Sequence, residues 1–152
     1  MNRVFSFLVS TFLIVTIGCD PGMSIRQASE PPNERSQLKS VLVIRVATTH
    51  QLIGEMHYAP KVQLDNTGND SLTITKAELV ARGGTYANHP WQSTSYPMKL
   101  GAKETAGIEV RFDLVEPVHR AFEETAILRV HYSVGGKEQI AIATLVRGSL
   151  RD

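Results

Sequence analysis

Five histidines (His50, His57, His89, His119 and His131) and a single cysteine, Cys19, are the side chains of this 152-residue chain best suited to hold a metal or to attack a substrate. No pair of histidines has a ligand spacing such as HxH or HExxH. One thiol can build neither a multi-thiolate zinc site nor an internal disulfide. His57 and His131 fall on the solvent-facing parity of strand-like segments, so scattered surface histidines are the plainer reading. The sharper reading is a soft-metal site, because Met56, His57, His89 and Met98 offer the thioether and imidazole ligands that suit copper. Gly22-Met23-Ser24-Ile25 lacks the closing glycine of a nucleophile elbow. The acidic run from Asp65 to Asp70 has its glycine at the fourth place, and Lys76 stands where a calcium loop needs a bidentate Glu. Gly83-Gly84 and Gly135-Gly136 read as turn pairs rather than phosphate cradles. Glu116, Glu123 and Glu124 lie in a polar crossing and read as solvated. The sequence therefore points to no catalytic residue and no cofactor.

The chemistry that the sequence does specify is at Cys19. Met1-Asn2-Arg3 is a short positive start, and Val4 to Gly18 is an uncharged, mostly apolar run, shorter than the roughly 20 residues of a spanning helix. A charged start, an apolar middle and a small residue before a cut make a secretory signal. Thr16-Ile17-Gly18-Cys19 resembles the bacterial lipobox, in which the cysteine thiol is diacylated and the preceding signal is removed. The resemblance implies a signal peptide over residues 1–18, cleaved before Cys19, and a lipidated, membrane-anchored protein. Several acyl chains at about 0.8 kcal/mol per buried CH₂ give stable anchoring. The bland alternative is an ordinary secretory signal with a chance cysteine. The address that follows is the cell envelope, with the domain in the periplasm or at the cell surface and the leaflet open. Asp20 resembles the inner-membrane retention signal of enterobacteria, a rule that other bacteria need not obey.

Lys and Arg total 16 and Asp and Glu 15, and only Arg3 of these precedes Cys19, so the remainder is balanced. That leaves no basic footprint for nucleic acid. Membrane lipid through acylated Cys19 and a protein of unknown identity are the expected partners. The best candidate contact segment is Tyr86-Ala87-Asn88-His89-Pro90-Trp91-Gln92-Ser93-Thr94-Ser95-Tyr96-Pro97, which holds the only tryptophan. Tyr86, His89, Trp91 and Tyr96 are its candidate partner-binding residues, since loops on a rigid scaffold carry binding and Trp and Tyr anchor interfaces. The competing reading has Trp91 plugging one end of the core.

Around these residues the chain reads as three parts: the signal, a tether over 19–40 and a body over 41–150. Pro21, Gly22, Pro31 and Pro32 among polar residues read as a flexible tether that lets the body stand off the membrane. From Val41 onward the apolar pattern has period two, the signature of strands. Leu42, Ile44 and Val46 alternate, as do Ile108, Val110 and Phe112, then Ala126, Leu128, Val130 and Tyr132. Asn66-Thr67-Gly68-Asn69-Asp70 is a dense turn signal. The apolar parity flips from Leu72 and Ile74 to Ala77 and Leu79, which predicts a bulge near Lys76. Residues Gly83 to Pro97 read as loop, and Glu116 to Glu124 as a polar crossing with room for a helical turn. At Val134-Gly135-Gly136-Lys137, matching the apolar faces predicts a three-residue hairpin loop that sets Val130 against Ile140 or Ile142. About seven short strands with no long helix predict an all-β sandwich.

Val62-Gln63-Leu64-Asp65-Asn66-Thr67-Gly68-Asn69-Asp70-Ser71-Leu72-Thr73-Ile74 resembles the strand-turn-strand of immunoglobulin-like domains of the abnormal-spindle and hydin type and their bacterial relatives of unknown function. Leu100-Gly101 followed by Ile108-Glu109-Val110-Arg111-Phe112-Asp113, and the closing Thr144-Leu145-Val146-Arg147-Gly148, are similar to later segments of the same domains. The resemblance covers roughly residues 41 to 149 and implies an antiparallel, immunoglobulin-like sandwich serving as a scaffold or adhesion module. Bacterial relatives often carry Cys-Gly-Cys after the third strand; here Ala81-Arg82-Gly83-Gly84-Thr85 stands there, so no role of those thiols transfers.

Overall fold

The computed structural model describes residues 22–28, 40–89 and 95–148. The signal, Cys19, most of the linker, and Pro90 to Thr94 with Trp91 lie outside the described residues. The fold is an antiparallel β-sandwich with one short helix. Its strands are β1 (Met23–Gln27), β2 (Leu42–Val46), β3 (Thr49–Gln51), β4 (His57–Tyr58), β5 (Lys61–Asn66), β6 (Leu72–Ala81), β7 (Gly84–Ala87), β8 (Met98–Leu100), β9 (Thr105–Glu109), β10 (Phe112–Asp113), β11 (Ala126–Val134) and β12 (Lys137–Gly148). One layer runs β3-β1-β12-β11-β6-β7, with β8 on the lower part of β6; the other runs β2-β5-β9 and continues as β10-β4.

That second layer is one ribbon with a gap. Lys61 faces Glu109 and Tyr58 faces Phe112, so β5–β9 and β4–β10 keep a single register. Pro60 lies between them and has no N–H to give the ladder. The alternation read from the sequence fills the core: Leu42, Ile44, Val62, Leu64, Ile108 and Phe112 from one layer, and Ile74, Leu79, Leu128, Val130 and Leu145 from the other, are buried. A short helix α1 (Val118–Ala121) sits in the crossing. Its surroundings are less polar than expected, because Val118, Ala121 and Phe122 are fully buried and Phe122 meets Tyr58 edge to face at 4.9 Å. Among the described residues, that pair is the aromatic closure of this end of the core.

The predicted bulge is present: β6 and β11 shift register between His131 and Tyr132, which face Lys76 and Ile74 and leave Thr75 extra. Three expectations are corrected. The tether does not extend through residues 23–27, which form β1 between β3 and β12 with Met23 and Ile25 buried. Met-Ser-Ile-Arg alternates apolar and polar, and two buried apolar side chains in a laddered strand outweigh the prolines on either side. Second, Gly83 and Gly84, both at positive φ, fold residues 84–87 back on β6 as a strand within the stretch read as loop. Third, the last hairpin has a two-residue loop: Val134 faces Lys137, Tyr132 faces Gln139 and Val130 faces Ala141. Gly135 and Gly136, with φ of 55° and 76°, supply the turn that two-residue hairpins favour. Ala141 and Ala143 therefore face inward, and Ile140 and Ile142 are left 48% and 43% exposed. Small residues on the inward parity agree with the surroundings of β12. Cα atoms of β12 and β2 come within 8 Å, closer than the ~10 Å of ordinary stacked sheets, which leaves less room for large inward side chains.

The β1 strand also joins the layers by polar contacts. The Gln27 side chain donates to the Ile44 carbonyl at 3.1 Å and accepts from the Val46 N–H at 2.8 Å. Ser40 Oγ accepts from the Leu42 N–H at 3.3 Å. These groups lie on the edge of β2 away from β5.

Candidate functional site

At its start, the aromatic segment is held by a clamp between the two layers. Beyond β7, the Asn88 N–H donates to the Ala77 carbonyl at 3.2 Å, while Asn88 Oδ1 accepts from the Arg111 N–H at 2.8 Å. The His89 N–H donates to the Arg111 carbonyl at 2.7 Å. Arg111 lies between β9 and β10, so these two residues tie the β6 side to the opposite layer. The His89 imidazole is 3.3 Å from Asp113 Oδ2, and Arg111 Nε donates to Asp113 Oδ1 at 3.1 Å. His57 faces Asp113 across the β4–β10 pair.

The candidate contact residues fare differently. Tyr86 is 8% exposed and belongs to the core, and its hydroxyl donates to the Arg82 carbonyl at 3.2 Å. It packs into the core and does not present its ring to a partner, which corrects its candidacy. Gly83 leaves the space that this needs, since a Cβ there would lie 2.7 Å from the Tyr86 hydroxyl oxygen. His89 is half-buried at the take-off point. Tyr96 is half-buried at the return, before the cis Tyr96-Pro97 bond, and burial pushes its phenol up to about 12. Trp91 lies outside the described residues.

Of the four candidate copper ligands, His57 and His89 both lie at Asp113 and Met56 precedes His57, but Met98 does not join them. Met98 lies on β8, in the layer opposite His57, and packs against the core, whereas Met56 is 43% exposed beyond the far end of the β4–β10 ribbon. Among the described residues no three His, Cys, Asp or Glu side chains come together in a way that could hold a metal ion.

Sequence reasoning missed the outward face of β2-β5-β9. Asp65, on the polar parity of β5, is 9% exposed because its neighbours close over it. Its Oδ1 accepts from Gln63 Nε2 at 3.0 Å and from Thr105 Oγ1 at 2.8 Å, and its Oδ2 from Arg45 Nε at 2.7 Å. The Gln63, Thr105 and Arg45 bonds, in that order, hold its carboxyl below the usual carboxylate range. A carboxylate so engaged is a poor base, and its action is to orient Arg45, whose side chain is 69% exposed. Beside it, Gly107 leaves a shallow hollow of about 520 Å³, with Val46, Val62 and Ile108 in its lining and Arg45, Lys61, Gln63 and Glu109 around them. The face can meet a polar or anionic surface and has no nucleophile–base pair. The signal in the sequence was a row of polar residues at one parity, which reads equally as plain solvent exposure. On the other layer, Glu78 accepts from Lys76 Nζ at 2.7 Å and lies 2.8 Å from His131 Nε2. The Lys76 bond first, and His131 after it, hold that carboxyl low against the cost of its burial.

Comparison with protein-family models, with curated proteins and with solved structures finds no match. Among the described residues no helix is long and apolar enough to cross a membrane.

Proposed function

We propose that the chain is a bacterial lipoprotein, anchored through acylated Cys19, whose immunoglobulin-like sandwich acts as a non-catalytic interaction or structural module in the cell envelope. The Thr16-Ile17-Gly18-Cys19 context supports the address, with palmitate as the expected acyl label. The observation that carries the module reading is the Asn88–His89 clamp. The fold commits inter-layer hydrogen bonds to fixing the point from which the Trp91 segment departs, an arrangement suited to presenting a loop from a rigid scaffold. The polar face around Arg45 is a second surface available for contact.

Metabolic labelling with palmitate tests the anchor: incorporation lost in Cys19→Ser supports it, and no incorporation in the wild type rejects it. In-envelope crosslinking of the tagged wild type against Trp91→Ala tests the module. A reproducible partner lost on Trp91→Ala supports the loop as the contact. A partner retained in that variant moves the contact to another face, and the absence of any specific partner rejects an interaction role.

A further inference from the structure

Resting on the lipid anchor proposed above, we infer that one end of the sandwich, the tip carrying Leu52, Met56 and Val115, lies against the lipid bilayer. The β1 strand sets this. Because the ladder begins at Met23, only Asp20, Pro21 and Gly22 separate it from Cys19, a reach of roughly 14 Å even at full extension. Gly22 is itself close to the fold, where a Cβ would lie 3.2 Å from the Gln51 carbonyl oxygen. An acylated Cys19 therefore delivers the membrane to the end of the molecule where Met23 pairs with Gln51.

That end is apolar where it leaves Gln51. Leu52 is 57% exposed, Met56 43% and Val115 72%, half of the large exposed apolar side chains among the described residues. They stand on two joined loops. The Glu55 N–H donates to the Leu52 carbonyl at 3.3 Å, the Leu114 N–H to the Met56 carbonyl at 2.7 Å and the Val118 N–H to the Glu55 carbonyl at 2.7 Å. The three side chains thus ride on one platform, backed by the buried Val118, Ala121 and Phe122. The turns at the opposite end of the sandwich, at residues 67–71, 101–104 and 135–136, are built from Thr, Gly, Asn, Asp, Ser, Ala, Lys and Glu. The tip also carries charges of both signs, among them Glu55, Glu116, Arg82 and Arg120, so its attraction to the membrane is apolar rather than ionic. Acyl chains hold the protein at the surface and the tip fixes its tilt, with the outer faces of both sheets standing toward solvent.

The test uses full-length, processed protein carrying Leu52→Cys, Val115→Cys or Lys103→Cys, reconstituted in phosphatidylethanolamine/phosphatidylglycerol vesicles. Cys19 is taken by lipid, so the new thiol alone accepts an environment-sensitive fluorophore. Probes at positions 52 and 115 are expected to shift to the blue and lose most of their emission to nitroxide-labelled lipids, while the probe at 103 does neither; raising the salt changes nothing. If the protein stays vesicle-bound but positions 52 and 115 behave as 103 does, the inference is wrong. Probes shielded from water yet untouched by lipid nitroxide point to a protein contact and also overturn it. The mass of the purified protein reads the anchor separately, and an acyl-free mass overturns both the anchor and the contact that rests on it.

Discussion

Replacing Ile25 by alanine separates a strand from a tether. Ile25 is 0% exposed and sits in β1 between Thr49 of β3 and Arg147 of β12. The substitution removes three carbons, about 2.4 kcal/mol at roughly 0.8 kcal/mol each. The cavity left in a core that cannot fully collapse adds to this, for a total of about 3 kcal/mol within the usual span of about 2–5. At an m value of about 1.5 kcal/mol/M, the urea midpoint falls by about 2 M. Equilibrium urea unfolding of the purified chain, followed by far-UV circular dichroism, measures it, with Leu52→Ala as the exposed control. A midpoint within about 0.3 M of wild type, matching the control, would refute the claim that the fold begins at Met23.

Asn66 is 3% exposed; its amide donates to the Asp70 and Gly101 carbonyls at 2.8 and 2.7 Å and its Oδ1 accepts from the Gly68 N–H at 2.9 Å. Asn66→Ala is expected to cost about 2–4 kcal/mol by the same unfolding assay. Asp65 has a folded pKa below its unfolded value, so the stability it contributes is present above about pH 3.9 and lost as pH falls through the folded pKa. Wild-type stability therefore drops on acidification below that point, and urea midpoints measured across pH show a flatter acid limb in Asp65→Asn. Gly135 has φ of 55°, and a Cβ at that position would meet nothing within 4 Å, so backbone strain alone decides the outcome. Gly135→Asn is expected to stay within about 0.5 kcal/mol of wild type while Gly135→Val loses about 1–2 kcal/mol, read from thermal unfolding.

Much of the fold was legible because period-two patterning reports a buried face directly. Leu42-Ile44-Val46 and Leu128-Val130-Tyr132 point inward as their parity requires, and the parity flip after Ile74 placed a bulge near Lys76, one residue from the extra Thr75. Two of the failures share a cause: contacts remote in sequence. Met23-Ser24-Ile25-Arg26 carries the alternation, but four residues among prolines are too short a signal without the β12 edge that receives them. The last hairpin has isoleucine on one parity and alanine on the other, and alanine faces inward against the hydrophobicity signal, on a strand that comes close to β2. For the candidate site, Trp91 lies outside the described residues, and only the flanks of the aromatic segment can be compared. The clamp that fixes it depends on Arg111, distant in sequence, and Tyr86 could not be told from a surface aromatic until Gly83 folded the strand back over it. Asp65 looked like a solvent-facing carboxylate because its three donors come from three different strands.

The two side chains on the rim of β2 bear on how the protein behaves among its own kind. A terminal strand with idle N–H and C=O groups recruits strands from other molecules and so seeds aggregation. Here the carboxamide of Gln27 engages the Ile44 carbonyl and the Val46 N–H, and the hydroxyl of Ser40 the Leu42 N–H, so part of that rim is occupied without the addition of a further strand. Crowding such molecules together finds fewer idle groups along this border, and opening it by Gln27→Leu would convert a solubility safeguard into a sticky seam.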